Sequence, residues 1–213
     1  MKRFKAVIFD LDGVITDTAH YHYLAWKRLA ESEGVHFDHV FNENLKGVDR
    51  MGSLSLILAR SANTYTHGRK LELAERKNRH YQELIASMGP GDLLPGAVDA
   101  LADVREAGLK IGLASASRNA FAVLERLGIR DRFDHVVDAA LVANGKPHPE
   151  IFLNAAASLG VAPAACLGVE DAVAGIAAIK AAGMYALGVG RPDVLTRADR
   201  VIPGLAEFRL GDY

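Results

Sequence analysis

Cysteine occurs once in the 213 residues, at Cys166, so no internal disulfide is possible. The run Ala165-Cys166-Leu167 is apolar, which suits a small buried hydrophobe rather than a reactive thiol. No Cys/His cluster has the spacing of a structural zinc site. Long apolar runs are missing as well. Nothing approaches 18 uncharged apolar residues, so no membrane-spanning helix is expected. The apolar stretch near the N-terminus, in MKRFKAVIFDLDG, is interrupted by Asp10 and Asp12, so no signal peptide and a cytoplasmic location are expected. An excess of one charge is also absent. Lys and Arg number 25, Asp and Glu 26, and the net charge of -1 provides no basic footprint for nucleic acid. Glycine and proline, 20 and 7 residues, are too sparse for low complexity, and 50% hydrophobic content is too high for disorder. A folded chain of one or two domains acting on a small molecule, with a monomer as the expected state, is what remains.

Two styles of sequence alternate along the chain. Residues 5–10 form a short apolar run ending in a carboxylate, as a buried parallel strand would. Between Asp17 and about Met88 there is no comparable strand. Helical patterns occur there instead, around Trp26, at Leu54, Ile57 and Leu58, and from Leu71 to Ile85. Strand–helix alternation resumes after the turn-like run Gly89-Pro90-Gly91-Asp92. Helices are expected over 97–107, 119–127 (with Gly128 as its C-cap), 149–159 and 172–182. Strands are expected at 109–114, 136–137, 165–169, 184–189 and, at an edge, 201–202. Strands joined by helices of about a dozen residues imply right-handed crossovers and a doubly wound parallel sheet, an α/β fold. The helical block then reads as a cap over 17–88, inserted into a core formed by 1–16 and 89–213. No internal repeat is visible.

In such sheets, ligands bind beyond the carboxyl ends of the strands. Three predicted strand ends carry Asp10 with Asp12, Ser115, and Glu170 with Asp171, while Lys146 lies in the loop Asn144-Gly145-Lys146-Pro147. A carboxylate cluster without His or Cys suits a hard cation such as Mg2+, which takes one or two carboxylates together with phosphate oxygens. A Lys and a Ser beside that ion suit the oxygens of a transferring phosphoryl group. An Asp after a strand is often only a helix cap, and Asp171 taken alone is open to that reading. Gly188-Val189-Gly190 is a fragment of a dinucleotide fingerprint without its third glycine, and carries little weight.

The run Asp10-Leu11-Asp12-Gly13-Val14-Ile15-Thr16-Asp17 resembles the signature of the haloacid dehalogenase superfamily of phosphoryl-transfer enzymes. Ser115, Lys146-Pro147 and Gly168-Val169-Glu170-Asp171 resemble its other three motifs, in order. The resemblance implies a Rossmann-like core, a helical cap after the first motif, Asp10 as nucleophile and Asp12 as general acid/base. It also implies Mg2+ at Asp10, Asp12, Glu170 and Asp171. A metal-bound carboxylate could not serve as an acid, so Asp12 is expected to meet the ion through its backbone carbonyl alone.

Similarity extends over nearly the whole chain to the β-phosphoglucomutase family. It is carried by Asp17-Thr18-Ala19-His20-Tyr21-His22, Asn44-Leu45-Lys46-Gly47-Val48-Asp49-Arg50, Arg76-Lys77-Asn78, Ala114-Ser115-Ala116-Ser117-Arg118-Asn119 and Gly188-Val189-Gly190-Arg191-Pro192. That family interconverts β-D-glucose 1-phosphate and D-glucose 6-phosphate through β-glucose 1,6-bisphosphate. The resemblance implies that Arg50, Ser117, Arg118 and Asn119 hold the non-transferring phosphate, where a planar Arg fork suits oxyanions. It further implies that His22 and Lys77 couple the substrate to placement of the acid/base, with Thr18 at the hinge. Lys46, Gly47 and Ala116 complete the substrate-binding set, and Ser115 and Lys146 serve the transferring phosphoryl. The remaining cap histidines, His20, His36, His39, His67 and His80, match no motif and read as ordinary helix-surface residues. Three departures stand out. Asp49, where a small polar residue is usual, is expected to weaken the Arg50 contact. Ala172 lacks the usual Ser hydroxyl. The end at Tyr213 predicts a short or missing final helix. The alternative function is a sugar phosphatase on the same core.

Overall fold

A computed structural model describes residues 4–45 and 48–213. Six strands, β1 (Ala6–Phe9), β2 (Lys110–Leu113), β3 (His135–Val136), β4 (Cys166–Glu170), β5 (Tyr185–Val189) and β6 (Arg200–Ile202), form one parallel sheet in the order β3-β2-β1-β4-β5-β6. The chain builds outward from β1 to β3, then crosses back and builds the other way from β4. The topological switch point therefore lies between β1 and β4, where α/β sheets open a crevice for ligands. Register makes this concrete. Phe9 lies opposite Leu113 on one side and Val169 on the other. The next residues along, Asp10, Ala114 and Glu170, thus stand side by side at the carboxyl edge of the sheet.

Alternation along β1 sorts its side chains onto two faces. Val7 and Phe9 pack with Leu101 and Val104 of α5 (Ala97–Glu106) and with Val123 and Leu124 of α6 (Ala120–Arg126). Ala6 and Ile8 face Ile151 and Phe152 of α7 (Glu150–Ser158) and Ile176 and Ile179 of α8 (Val173–Ala181). The doubly wound core matches the arrangement expected from the strand–helix alternation. Element ends move by one or two residues: the third strand is 135–136 rather than 136–137, and Glu170 is the last residue of β4 rather than the first beyond it. Gly128 closes the turn after α6 with φ +70°, a conformation that a Cβ would strain.

Between β1 and α5 the described residues contain helices and no strand: α1 (Ala19–Ser32), α2 (His39–Asn42), α3 (Arg50–Leu58) and α4 (His67–Leu84). They share an apolar cluster that includes Trp26, Leu29, Leu54, Ile57 and Leu73. Leu71, one of the residues in the helical pattern, instead faces solvent. After β6 the described chain makes two short 3-10 turns, Leu205–Glu207 and Leu210–Asp212. No helix among the described residues is long and apolar enough to cross a membrane.

Candidate active site

The carboxyl edge of β1 and β4 is acidic and dry. Lys146 Nζ donates to Asp10 Oδ1 and to Glu170 Oε2, both at 2.7 Å, with its side chain only 1% exposed. Burial and the Glu170 charge push Asp10 up to about 7, against the pull of Lys146. Burial likewise raises Glu170 to about 7. Burial alone would lower Lys146, but its two carboxylates outweigh that and hold it well above the usual lysine value. Glu170 lies against α8 at Gly175, where an added Cβ would come within 2.0 Å of its carboxylate. Its Oε1 accepts the backbone N–H groups of Asp171 and Ala172. Gly13 has φ +81°, and a Cβ there would meet Asp171 Oδ2 at 2.2 Å. The glycine after the paired acids thus makes room for the carboxylate arriving from β4.

Asp10, Glu170 and Asp171 each offer an oxygen, and the three atoms lie within 4.8 Å of one another. An all-oxygen anionic set of this size fits a hard divalent cation. The side chain of Asp12 is not part of the set. It points instead toward the helices, where Oδ1 accepts the Thr18 hydroxyl hydrogen bond and Oδ2 lies 3.9 Å from His22 Nε2. Burial, then the Asp10 charge, pushes Asp12 up to about 8. His22 Nε2 is buried with no hydrogen-bond partner among the described residues. On the other side of the ring, Nδ1 lies 2.8 Å from Lys77 Nζ. The Lys77 ammonium sits over the rings of Trp26 (4.6 Å) and Tyr81 (4.8 Å), and the His22 ring packs on Tyr81 at 4.1 Å. Burial, then Arg50, lowers Lys77 to about 7, and burial with Lys77 depresses His22 well below its usual value. A neutral imidazole that accepts at Nδ1 carries its proton on Nε2, facing Asp12.

The opposite end of the same pocket is cationic. Arg50, the first residue of α3, is fixed at both ends of its fork, with Nη1 donating to Glu75 Oε1 (3.1 Å) and Nη2 to Asn78 Oδ1 (3.0 Å). Asn78 Oδ1 also accepts from Asn119 Nδ2 (3.0 Å), and Asn119 Oδ1 accepts from Gln82 Nε2 (3.2 Å). The α3–α4 pair is thereby tied to the loop after β2. In that loop Ser115 Oγ accepts from the Ser117 N–H, and Ser117 Oγ from the Asn119 N–H. Among the described residues Asp49 makes no hydrogen bond or ion pair with Arg50. It is the N-cap of α3, with Oδ1 accepting from the N–H groups of Met51 and Gly52. The carboxylate on Arg50 is Glu75, which comes from α4.

Asp10, Asp12, His22, Arg50, Lys77, Ala116, Ser117, Arg118, Asn119 and Asp171 all line one pocket. Ser115, Lys146, Glu170 and Thr18 are buried against its wall. Lys46 and Gly47 lie outside the described residues. Trp26, Asn42 and Ser53 also line the pocket and were not singled out from sequence. Trp26 reads as helix core by its periodicity, and the signal for the other two, burial of a polar side chain, exists only in three dimensions.

The model of the haloacid dehalogenase-like hydrolase family matches residues 4–183. The β-phosphoglucomutase of Bacillus subtilis (strain 168) is 52% identical over 208 residues, 97% of this chain and 92% of that protein. A phosphorylated carbohydrates phosphatase of Thermotoga maritima is 34% identical over 84% of this chain and 82% of its own length. The crystal structure of β-phosphoglucomutase from Clostridium difficile superimposes with a TM-score of 0.95 at 47% identity, covering 98% of this chain and 95% of that one. The chain belongs to the haloacid dehalogenase-like hydrolase family, on its β-phosphoglucomutase branch.

Proposed function

We infer that the chain is a β-phosphoglucomutase, which exchanges β-D-glucose 1-phosphate and D-glucose 6-phosphate through β-glucose 1,6-bisphosphate. The observation that carries this over simple hydrolysis is the second cationic end of the pocket. Arg50 and Asn119, held at 3.0 Å from the shared Asn78 Oδ1, face the same space as Asp10. Hydrolysis of one phosphate ester needs no second phosphate anchor, whereas a bisphosphate intermediate does.

In this reading Asp10 attacks phosphorus with one carboxylate oxygen. The phosphorus–oxygen bond to the sugar breaks as the bond to Asp10 forms, and the departing sugar oxygen takes a proton from Asp12. In the reverse direction Asp12 removes the proton of the attacking sugar hydroxyl while the aspartyl phosphate gives up its phosphoryl group. Its elevated pKa of about 8 leaves Asp12 protonated and able to donate near neutrality. The Thr18 hydroxyl orients that carboxylate, the His22 Nε2–H faces it from 3.9 Å, and Lys77 fixes the imidazole tautomer from behind. Lys146 offsets the charge of Asp10 and Glu170 and sits where the phosphoryl oxygens arrive. Asp10 and Asp171, with Glu170 behind them and the backbone carbonyl of Asp12, would hold Mg2+. Such an ion, when bound, neutralises the repulsion between the carboxylate nucleophile and the phosphoryl oxygens. Residues 17–88 are proposed to act as a cap that excludes water from the aspartyl phosphate. A monomer in the cytoplasm is the proposed state.

The test combines pure protein, Mg2+, β-glucose 1-phosphate and a trace of the 1,6-bisphosphate, following glucose 6-phosphate and free phosphate in one tube. Glucose 6-phosphate well ahead of phosphate, and only after priming, supports the mutase. Equal rates without priming identify a phosphatase. Asp10→Asn keeps the shape of the nucleophile and abolishes both reactions; full turnover by that variant would overturn the assignment.

A further inference from the structure

Glu75 makes an ion pair with the residue that anchors the phosphate, yet lies outside every motif. Arg50 Nη1 donates to its Oε1 at 3.1 Å. Arg118 is close enough to Arg50 to disfavour its charge. Among the described residues Arg118 has no carboxylate within ion-pairing distance. Glu75 is therefore the counter-charge for a two-arginine cluster at the cationic end of the pocket.

The two partners of the Arg50 fork differ in how readily they let go. Asn78 is half-buried and is held from the other side by Asn119 Nδ2 at 3.0 Å, so moving it also disturbs the core loop. The Glu75 side chain is 59% exposed against 14% for that of Arg50, and has no other hydrogen bond among the described residues. It can swing into water at little cost. A phosphate dianion that takes Arg50 Nη1 as a donor competes with Glu75 for it, and two anions beside one guanidinium repel each other.

We propose that Glu75 is a displaceable counter-ion that competes with the sugar-borne phosphate for Arg50, setting substrate affinity and speeding release of the bound ester. This rests on Arg50 being the anchor of the non-transferring phosphate. Between turnovers Glu75 and Asn78 hold the two ends of the Arg50 fork, and Glu75 gives way when phosphate enters. It touches no reacting atom, so it is a positioning residue whose effect is exerted through Arg50.

The experiment measures glucose 6-phosphate binding by calorimetry, and KM and kcat for β-glucose 1-phosphate, in wild type, Glu75→Gln, Glu75→Asp, Arg50→Ala and the Arg50→Ala/Glu75→Gln double variant. Glu75→Gln is expected to tighten the glucose 6-phosphate Kd and lower KM together, by roughly 2- to 5-fold, the range of an exposed ion pair, without raising kcat. Glu75→Asp is expected to restore wild-type affinity, and in the Arg50→Ala background Glu75→Gln is expected to change nothing. Weaker or unaltered binding by Glu75→Gln would overturn the proposal, as would tightening that persists without Arg50. If Arg50→Ala itself leaves glucose 6-phosphate binding at the wild-type level, the anchor assignment fails instead, and the proposal with it.

Discussion

Replacing Lys146 with Met removes one positive charge from a site that has no other cation at hydrogen-bond distance among the described residues. The Met side chain is of similar length, so packing against Phe152, whose ring lies 5.2 Å from the ammonium, is largely retained. What is lost is the pair of 2.7 Å hydrogen bonds to Asp10 and Glu170, the latter completely buried. Breaking a buried ion pair by removing one partner costs about 3–5 kcal/mol, because the remaining charge has neither water nor a counter-ion. Here two carboxylates are stranded, and Asp171 brings a third within 4.8 Å. At ~2–4 °C per kcal/mol for a chain of this size, the melting temperature should fall by about 6–20 °C in a chelating buffer. Millimolar Mg2+ should recover part of that loss, because the cation binds the same carboxylates in the folded state only. The assay is thermal or urea unfolding of wild type and Lys146→Met, each with and without Mg2+. A loss below about 1 kcal/mol in chelator would show that these carboxylates are stabilised by something other than Lys146. A loss that Mg2+ leaves untouched would refute the idea that the cluster and the cation site are the same place.

Three further outcomes follow from the geometry. Gly13→Ala places a methyl group 2.2 Å from Asp171 Oδ2 at φ +81°, and should weaken Mg2+ binding by about 10- to 100-fold, read by titration calorimetry. Ala172 is the N-cap of α8 in an extended conformation without a side-chain acceptor, so Ala172→Ser should stabilise the fold by about 0.5–1 kcal/mol in urea unfolding. For Asp134, burial tends to raise the pKa, but the Ile111 N–H (2.7 Å) and Arg105 Nη1 (3.0 Å) outweigh it, and the net shift is downward. A carboxyl whose folded value is depressed contributes stability that is full above its unfolded value near 3.8 and is lost as pH falls through the folded one. Asp134→Asn should therefore flatten the fall in stability below about pH 4, and an unchanged acid limb would count against this account.

The catalytic edge was legible because the residues that carry it terminate apolar runs. Asp10 follows Ala-Val-Ile-Phe and Glu170 follows Leu-Gly-Val, so a parallel sheet had to bring them to one side. Lys146 was harder to place, because nothing in its loop says how deeply it reaches. Its position between Asp10 and Glu170 follows from the register that sets Phe9 opposite Val169, which no local pattern encodes. The place of Asp49 is hidden for a similar reason. It is next to Arg50 in sequence, but the two residues straddle the start of a helix. There the first turns its side chain back onto the N–H groups of Met51 and Gly52, while the second projects from the helix surface.

What the sequence left without a role is the set contributed by one face of α4, of which only Asn78 falls in a motif. Glu75, Asn78 and Gln82 recur at spacings of three and four, which places them along one stripe of the helix. Each is polar, and Glu75 and Gln82 are largely exposed, so composition assigns the stripe to solvent. Its meaning depends on Arg50, which arrives from a different helix, and on Asn119, which arrives from the core loop. Polar stripes of this kind are ambiguous until their neighbours are known, since hydrogen-bonding capacity to water and to an arginine is chemically the same. The apolar side of α4 resolved itself by periodicity because burial leaves only one outcome for Leu73 and Ala74. The proposed phosphate anchor sits on the side where the sequence leaves both outcomes open, and it takes the geometry of the Arg50 fork to choose between them.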